Sequence, residues 1–413
     1  MIGWSELRRE PFRLLFPLGT LLGLLGVGHW LAYAAGWTST YSGFYHASIQ
    51  IGSFLFCFIL GFLLTALPRF TNTALASTLE LLVVLIVLLA QPVLLSLGFW
   101  VEAEACFAGL LLILAVFAGR RFTSRRSTVG PPTEFVWIPI AVLHGLLGTA
   151  MLITGQLGFA PAWVVAVGKP LVQQGFTLGI ILGVGGFMAP RLMGRETLLV
   201  TPAGVGAEAA HRLRRRRILG HVAAGAVFFG SFWFEGLGRV RAAYLLRALL
   251  VTAELGWTTQ FYRPPRIPDG YVKLIWVSLW MIILGLWIAG LAPQVRVAAL
   301  HLVFLGGLSL MVFAVGTMVV LSHTGEGARL RQPLWVLKIV GAGVGGSVLI
   351  RLAADGIPQR FFLLLGCAAV SWMAAGISWL AFALPRVLRP LPNGEFERLH
   401  DEAKRRVTAS AVN

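Results

Sequence analysis

The chain has 413 residues, of which 57% are hydrophobic and 12% charged, a composition typical of membrane proteins rather than soluble ones. Little sequence is left between the apolar stretches, so a sizeable water-soluble domain is excluded. The formal net charge is +17, but the arginines are concentrated in alternate connections between apolar stretches, so they report membrane orientation and exclude nucleic acid as their partner.

Apolar stretches of about 18 or more residues, long enough to cross a bilayer as a helix, recur twelve times. They lie at about 14–35, 44–67, 78–98, 103–119, 135–156, 168–189, 218–235, 240–261, 272–291, 296–321, 334–353 and 360–384. This pattern predicts an all-α, polytopic membrane protein of about 12 transmembrane helices, forming one integral membrane domain over residues 1–413. Helices 1–6 are predicted at about 14–189 and helices 7–12 at about 218–384, with a linker at about 190–217 and a tail at 385–413.

The basic residues indicate how these helices are oriented. Arginine-rich segments precede helix 1 and follow helices 4, 6, 8, 10 and 12; they contain Arg8, Arg9, Arg13, Arg120, Arg121, Arg125, Arg126, Arg191, Arg195, Arg212, Arg214–Arg217, Arg263, Arg266, Arg329, Arg331, Arg386 and Arg389. The positive-inside rule places such segments in the cytoplasm. Both termini, the linker and the tail are therefore predicted to be cytoplasmic, with membrane lipid as a partner.

Histidines within the predicted helices are candidate functional residues, because ionisable groups are costly inside a membrane. His46 and His301 lie at similar depth near the outer ends of helices 2 and 10. Two neutral imidazoles facing each other could be the axial ligands of a b-type haem, whereas the alternative for each is an interhelical hydrogen bond. His323 is about 33 Å along the helix from His301 and cannot share a centre with it.

Other residues are weaker candidates for the same chemistry. Gly306 and Gly307 follow His301 and are small enough to leave room for a flat macrocycle, and Arg351 could meet a haem propionate. His144, near the middle of helix 5, and His323 are weaker candidates for metal ligands. The chain has no C-x-x-C-H motif, which excludes covalently attached c-type haem.

Several stretches resemble a known family. The segments "GFLLTALPRFTNT" at 61–73 and "LHLVFLGGLSLMVFAVGTMVVLSHTGE" at 300–326 resemble the most characteristic stretches of the NnrS family, and "GVGGFMAPRLMG" at 183–194 and "EPFRLLFPLGTLLGLL" near the start add to the likeness. NnrS proteins are bacterial membrane proteins of about twelve helices, associated with haem, copper and responses to nitric oxide. The resemblance therefore implies a multi-pass protein of the bacterial inner membrane that holds iron as haem b.

The chain also departs from the family pattern. Helix 2 of the family opens with His-x-His-Glu, but only His46 is kept, and Ser48 and Ile49 stand at the other two positions. Phe187 stands where the family has arginine, and Trp276 is the candidate replacement for a family histidine. We therefore expect a divergent member with a reduced metal complement, in which haem is retained and copper is doubtful. The helix layout also resembles the catalytic subunit of haem-copper oxidases, but the paired histidines of its oxygen-reducing centre are missing.

Three functions remain open from the sequence. The first is a haem-b-binding protein of NnrS type that binds nitric oxide or a similar small ligand, or transfers electrons within the membrane. The second is a non-catalytic membrane subunit of a larger respiratory complex that has lost its metal sites, with other respiratory-chain or membrane subunits as partners. The third is a secondary transporter. The sequence assigns no catalytic residue and does not decide whether the protein is an enzyme.

Overall fold

The fold was described from a computed structural model covering residues 3–127, 130–195 and 206–390. All regular elements in this part of the chain are helical, and twelve long helices follow a short one at Trp4–Arg9. They are α1 (Phe12–Ala34), α2 (Gly43–Thr71), α3 (Thr78–Ser96), α4 (Trp100–Thr123), α5 (Thr133–Gln156), α6 (Ala162–Leu192), α7 (Ala207–Gly236), α8 (Val240–Thr259), α9 (Gly270–Leu291), α10 (Pro293–His323), α11 (Trp335–Gly356) and α12 (Pro358–Val387).

Eleven of the twelve long helices in the described residues are long and apolar enough to cross a membrane. The exception is α8, whose 20 residues include Arg241, Arg247 and Glu254. Arg241 is exposed at the start of the helix, whereas Arg247 and Glu254 are paired inside the bundle, as described below, so α8 completes the set of twelve. The protein is a polytopic, all-α membrane protein, and the predicted fold class is confirmed.

The two ends of the bundle are distinguished by which connections they carry. The start of α1 lies against the end of α12. Arg13 of α1 donates hydrogen bonds to the backbone carbonyls of Val387 and Arg389, at 3.2 and 2.9 Å. We call this end, with the arginine-rich connections, the terminal face. The opposite end, where α1 is joined to α2 and where Ser42 contacts His29, is the distal face.

Helices α2, α6 and α10 form the interior of the bundle. In their most apolar windows, 83%, 67% and 72% of the residues are buried, against 50% or less in the other eight spans. Each of the three contains π-helical turns, at Gln50–Leu55 in α2, at Leu171–Phe176 and Ile181–Gly185 in α6, and at Leu302–Ser309 in α10. The interior helices are thus every fourth helix in the chain. Their π-helical turns are notable because such turns occur often at functional sites.

The boundaries predicted from hydropathy differ from the observed ones mainly at α7. The helix was expected from about residue 218, but it begins at Ala207 and includes the arginine run Arg214–Arg217. A prediction from hydropathy ends an apolar stretch where charged residues begin. Arginine is nevertheless a good helix former, so the helix extends past the apolar stretch. The remaining linker residues 196–205 and the tail residues 391–413 lie outside the described residues, and α12 continues to Val387.

Candidate functional site

The first candidate ligand, His46, lies on the second turn of α2 at the distal face. Its Nδ1 is 3.0 Å from the carbonyl oxygen of Gly26 on α1, and its ring meets Trp30 edge to face, with centroids 5.8 Å apart. A carbonyl oxygen only accepts hydrogen bonds, so Nδ1 carries the hydrogen of the neutral imidazole. The lone pair is then on Nε2.

His301 is held in the corresponding way on α10. Its Nδ1 lies 2.7 Å from the carbonyl oxygen of Val297, one turn earlier in the same helix. The π-helical segment Leu302–Ser309 begins at the next residue, and the segment Gln50–Leu55 follows His46 by four residues. Both candidate ligands therefore stand at the distal edge of a widened helical segment.

Nε2 of both imidazoles is available to a ligand. Among the described residues, none forms a hydrogen bond with Nε2 of His46 or His301, and both side chains are half-buried. Histidines that bind metals commonly donate one ring N–H to a carbonyl oxygen and coordinate through the other nitrogen. His29, on the same face, is different, because its Nε2 accepts a hydrogen bond of 2.7 Å from the backbone amide of Ser42.

The structure brings the two histidines and Arg351 to one place. His46 and His301 are close enough to interact electrostatically with each other and with Arg351 on α11. Arg351 is buried, donates to Asp355 at 2.6 Å, and lies over the ring of Phe361 at 5.6 Å. A guanidinium beside two imidazoles with free Nε2 atoms is a donor set suited to a macrocycle with anionic propionates.

Helices α2 and α10, which carry the two histidines, meet mainly through side chains. The backbones of these two helices approach each other closely at few of the described positions. They meet instead through large side chains in mid-membrane, such as Phe58 and Phe313, whose ring centroids are 6.1 Å apart. Among the described residues, the distal ends of α2 and α10 therefore have little direct backbone contact with each other.

The two glycines after His301 face a different neighbour. A Cβ on Gly306 would lie 2.9 Å from Met281 Cγ, and a Cβ on Gly307 would lie 2.4 Å from Ile282 Cγ1, both on α9. Gly306 and Gly307 thus allow α9 and α10 to pack closely. Their predicted contact with a haem stays a prediction.

His144 is far from this pair and has a different environment. It is buried on α5, where its ring stacks on Phe229 at 5.7 Å and meets Phe228 and Phe232 of α7. In the described part of the chain, no group of three His, Cys, Asp or Glu side chains could hold a metal ion. His144 is therefore enclosed by aromatic rings rather than by other potential ligands.

His323 belongs to a second polar group, at the terminal face. Its Nδ1 donates to Oε1 of Glu10 at 2.6 Å, and Arg69 of α2 contacts the same imidazole at 3.3 Å. Arg13 of α1 donates to Glu10 Oε2 at 2.5 Å and to the carbonyl oxygen of His323 at 3.3 Å. We call Glu10, Arg13, Arg69 and His323 the terminal-face cluster.

Comparison with known protein families identifies the family of the chain. The family model described as "NnrS protein" matches residues 6–390, which is nearly the whole chain. The chain belongs to the NnrS family. Comparison with curated proteins gave no match.

The stretches that carry the NnrS likeness converge in space. Glu10 and Arg13 come from the first stretch, Arg69 from "GFLLTALPRFTNT" and His323 from "SHTGE", so three stretches meet in the terminal-face cluster. Glu10 was not among the site residues expected from the sequence, because hydropathy gives no indication that an acidic residue among terminal arginines is buried. The sequence feature that points to Glu10 is the motif "EPFR", which places its carboxylate three residues before Arg13, the spacing of an ion pair.

The positions that depart from the NnrS pattern have other partners. Ser48 donates a hydrogen bond of 3.0 Å to Glu104 of α4, on the opposite side of α2 from His46. Trp276 donates through Nε1 to the carbonyl oxygen of Phe261 at 2.6 Å. Phe187 lies under the guanidinium of Arg191 at 3.8 Å.

Two further buried groups lie on α7 and α8. Arg247 pairs with Glu235 at 3.0 Å and with Gln174 at 2.7 Å, while Glu254 pairs with His221 at 2.9 Å. Arg247 and Glu254, seven residues apart on α8, thus have separate partners.

Proposed function

We propose that this NnrS-family protein binds haem b between His46 and His301 and serves either to bind nitric oxide or a similar small ligand, or to transfer electrons within the membrane. The proposal rests on one observation: two imidazoles on different interior helices, near each other and near Arg351, each donate through Nδ1 to a carbonyl and keep Nε2 free. When bound, haem b supplies an iron that exchanges one electron reversibly or takes up a diatomic gas.

The two imidazoles are held unequally. His46 is bonded to Gly26 of another helix, whereas His301 is bonded only to Val297 of its own helix. Movement of α10 relative to α2 would therefore carry His301 along while leaving its hydrogen bond intact. We infer that His301 is the ligand that gives way if a gas binds, and that His46 is the fixed one.

Arg351 would hold the negative charge of a propionate, because it is a buried guanidinium with one carboxylate partner, Asp355. Guanidinium groups bind carboxylates through paired hydrogen bonds, so the same side chain can serve both. Copper is not part of the proposal, since Ser48 bonds to Glu104 where the family has a histidine.

We further infer that the protein lies in the bacterial inner membrane with both termini in the cytoplasm. The arginine-rich connections on the terminal face support this orientation. Membrane lipid is then its surroundings, and other respiratory-chain or membrane subunits are candidate partners. A reporter that is active only outside the cytoplasm, fused after residue 413, should be inactive, and a cytoplasmic fluorescent reporter there should be bright.

The test of the haem proposal is a reduced-minus-oxidised optical spectrum of the purified protein, made with full haem supply. We expect a b-type band that is lost in His46→Ala and His301→Ala. The matched control is His29→Gln, on the same face, whose side-chain oxygen can still accept from Ser42; it should keep the band. A wild-type protein without any chromophore would overturn the proposal and favour the non-catalytic subunit or the transporter.

A further inference from the structure

A cavity of about 350 Å³ lies among α2, α3, α4, α5 and α6 in the distal half of the bundle. Its floor is formed by Gln91 and Glu104, which are only 1% and 3% exposed, while Gln156 and Lys169 at its rim are exposed. The cavity is therefore a funnel that leads from the surface to buried polar groups. The cavity lies on the side of α2 opposite His46. Ser48, which lines the cavity, follows His46 by two residues, and residues two positions apart in a helix point about 200° away from each other.

The polar groups of the floor are only partly satisfied. Glu104 accepts from Ser48 through Oε1, and Gln91 accepts from Ser53 through Oε1 at 3.1 Å. Within the described residues, Oε2 of Glu104 accepts no hydrogen bond and Nε2 of Gln91 donates none. In the described residues neither atom is fully enclosed by protein, so one acceptor and one donor are open to the cavity and remain for a molecule inside it.

A glycine on α2 keeps the amide in this position. A Cβ on Gly52 would lie 2.3 Å from Nε2 and 2.8 Å from Oε1 of Gln91. Any other residue at 52 would displace the amide from the cavity floor. The donor is thus built into the packing of α2 against α3.

The walls indicate what kind of molecule matches these two groups. They are mostly apolar and include two aromatic rings, Phe44 and Phe107. A hydroxyl group can donate to Glu104 and accept from Gln91 at once, and an aromatic ring fits beside Phe107. A cation is a poorer fit, because the cavity offers a single carboxylate.

We propose that this cavity binds a single-ring quinol, with a ring hydroxyl donating to Glu104 and accepting from Gln91. The volume is at the lower end of the range for small-molecule sites, which suits one ring rather than a fused system. Because the cavity lies within the membrane-spanning helices, the quinol is a membrane-dissolved one with an apolar tail. The proposal concerns binding alone and does not require haem.

The test measures binding of a reduced quinol with a ten-carbon tail to the full chain in detergent, under argon, with the tail-less ring as a second probe. Wild type should bind the tailed quinol saturably at one site. Glu104→Gln should weaken binding about tenfold, because the amide nitrogen that replaces Oε2 cannot accept a hydrogen bond from the ring hydroxyl. Glu102→Gln, on the exposed side of the same helix, is the matched control and should bind like wild type.

A second variant tests the cavity without touching Glu104. Ala47→Leu should weaken binding by filling space in the cavity, whereas Ala105→Leu, exposed on α4, should not. All variants are checked for folding by circular dichroism. Equal binding by every variant would mean partition into the detergent and would overturn the proposal. Tail-less quinol bound as tightly as the tailed one would overturn the membrane source and indicate a soluble phenol.

Discussion

Glu10 and His323 are 313 residues apart in the chain, and Nδ1 of the histidine donates to Oε1 of the carboxylate at 2.6 Å. This hydrogen bond joins the segment before α1 to the end of α10. Around it, Arg13 and Arg69 contribute the two positive charges of the terminal-face cluster. The terminal-face cluster therefore ties the start of the chain to two of the three interior helices, α2 through Arg69 and α10 through His323.

The first prediction concerns the stability of this cluster. Glu10→Gln should lower the free energy of unfolding by about 3 kcal/mol, because it leaves the buried Arg13 without its counter-charge. Thermal denaturation in detergent measures the change. Glu208→Gln is the control, since its pair with Arg212 is exposed and should contribute little. Equal midpoints for Glu10→Gln and wild type would contradict the prediction.

The second prediction is a dependence of stability on pH. Burial raises the pKa of Glu10, but the hydrogen bond and charge of His323 and the charge of Arg13 outweigh it and hold the pKa below its ordinary value of about 4.5. The carboxylate thus binds its proton more weakly in the folded state. Its stabilising contribution is complete above about pH 4.5 and is lost as the pH falls through the folded-state pKa.

This pH dependence can be separated from general acid unfolding. Unfolding midpoints measured from pH 7 downwards should fall less steeply for Glu10→Gln than for wild type, because the variant has no carboxylate at position 10. Glu208→Gln should follow the wild-type slope. Parallel curves for wild type and Glu10→Gln would show that Glu10 does not carry the effect.

The helices were predictable from sequence because each apolar stretch reflects one physical demand, which is that a chain crossing lipid must satisfy its backbone internally. All twelve were found in this way, including α8 with its paired charges. The start of α7 was not, because its first turns lie beyond the apolar stretch and include Arg214–Arg217. The π-helical turns in α2, α6 and α10 have no comparable signal in hydropathy.

The candidate site was predictable only in part. Depth along a helix placed His46 and His301 at the same level, and the structure brings them within electrostatic reach. Which carbonyl holds each imidazole depends on how the helices rotate and pack, so Gly26 and Val297 could not be foreseen. Gly306 and Gly307 were expected to face a haem, but nothing in their spacing could distinguish that from contact with α9.

The third prediction tests close helix packing. A Cβ on Gly148 of α5 would lie 2.7 Å from the carbonyl oxygen of Gly168 on α6, so Gly148→Ala should destabilise the protein by about 1–3 kcal/mol. Gly220 of α7 is the matched control, because a Cβ there meets no atom within 4 Å. Gly220→Ala should leave stability unchanged or raise it by up to about 1 kcal/mol. The melting temperature should therefore fall in Gly148→Ala but not in Gly220→Ala, and an equal fall in both variants would contradict the packing argument.

The fourth prediction rests on the proposed haem and concerns Arg351 and Asp355. A positive charge near the iron favours the reduced state, so Arg351→Gln should lower the midpoint reduction potential, by an amount on the order of tens of millivolts. Asp355→Asn removes a negative charge from the same pair and should raise the potential. Redox titration of the b-type band measures both shifts.

The opposite signs distinguish an electrostatic effect of Arg351 from a structural one. Loss of packing around the site would move both variants in the same direction or reduce the amount of bound haem in both. Arg360→Gln is the control, because Arg360 is exposed at the same face and its charge is screened by solvent. Its midpoint potential should equal that of wild type. A lowered potential in Asp355→Asn would mean that the Arg351–Asp355 pair acts through packing rather than through charge.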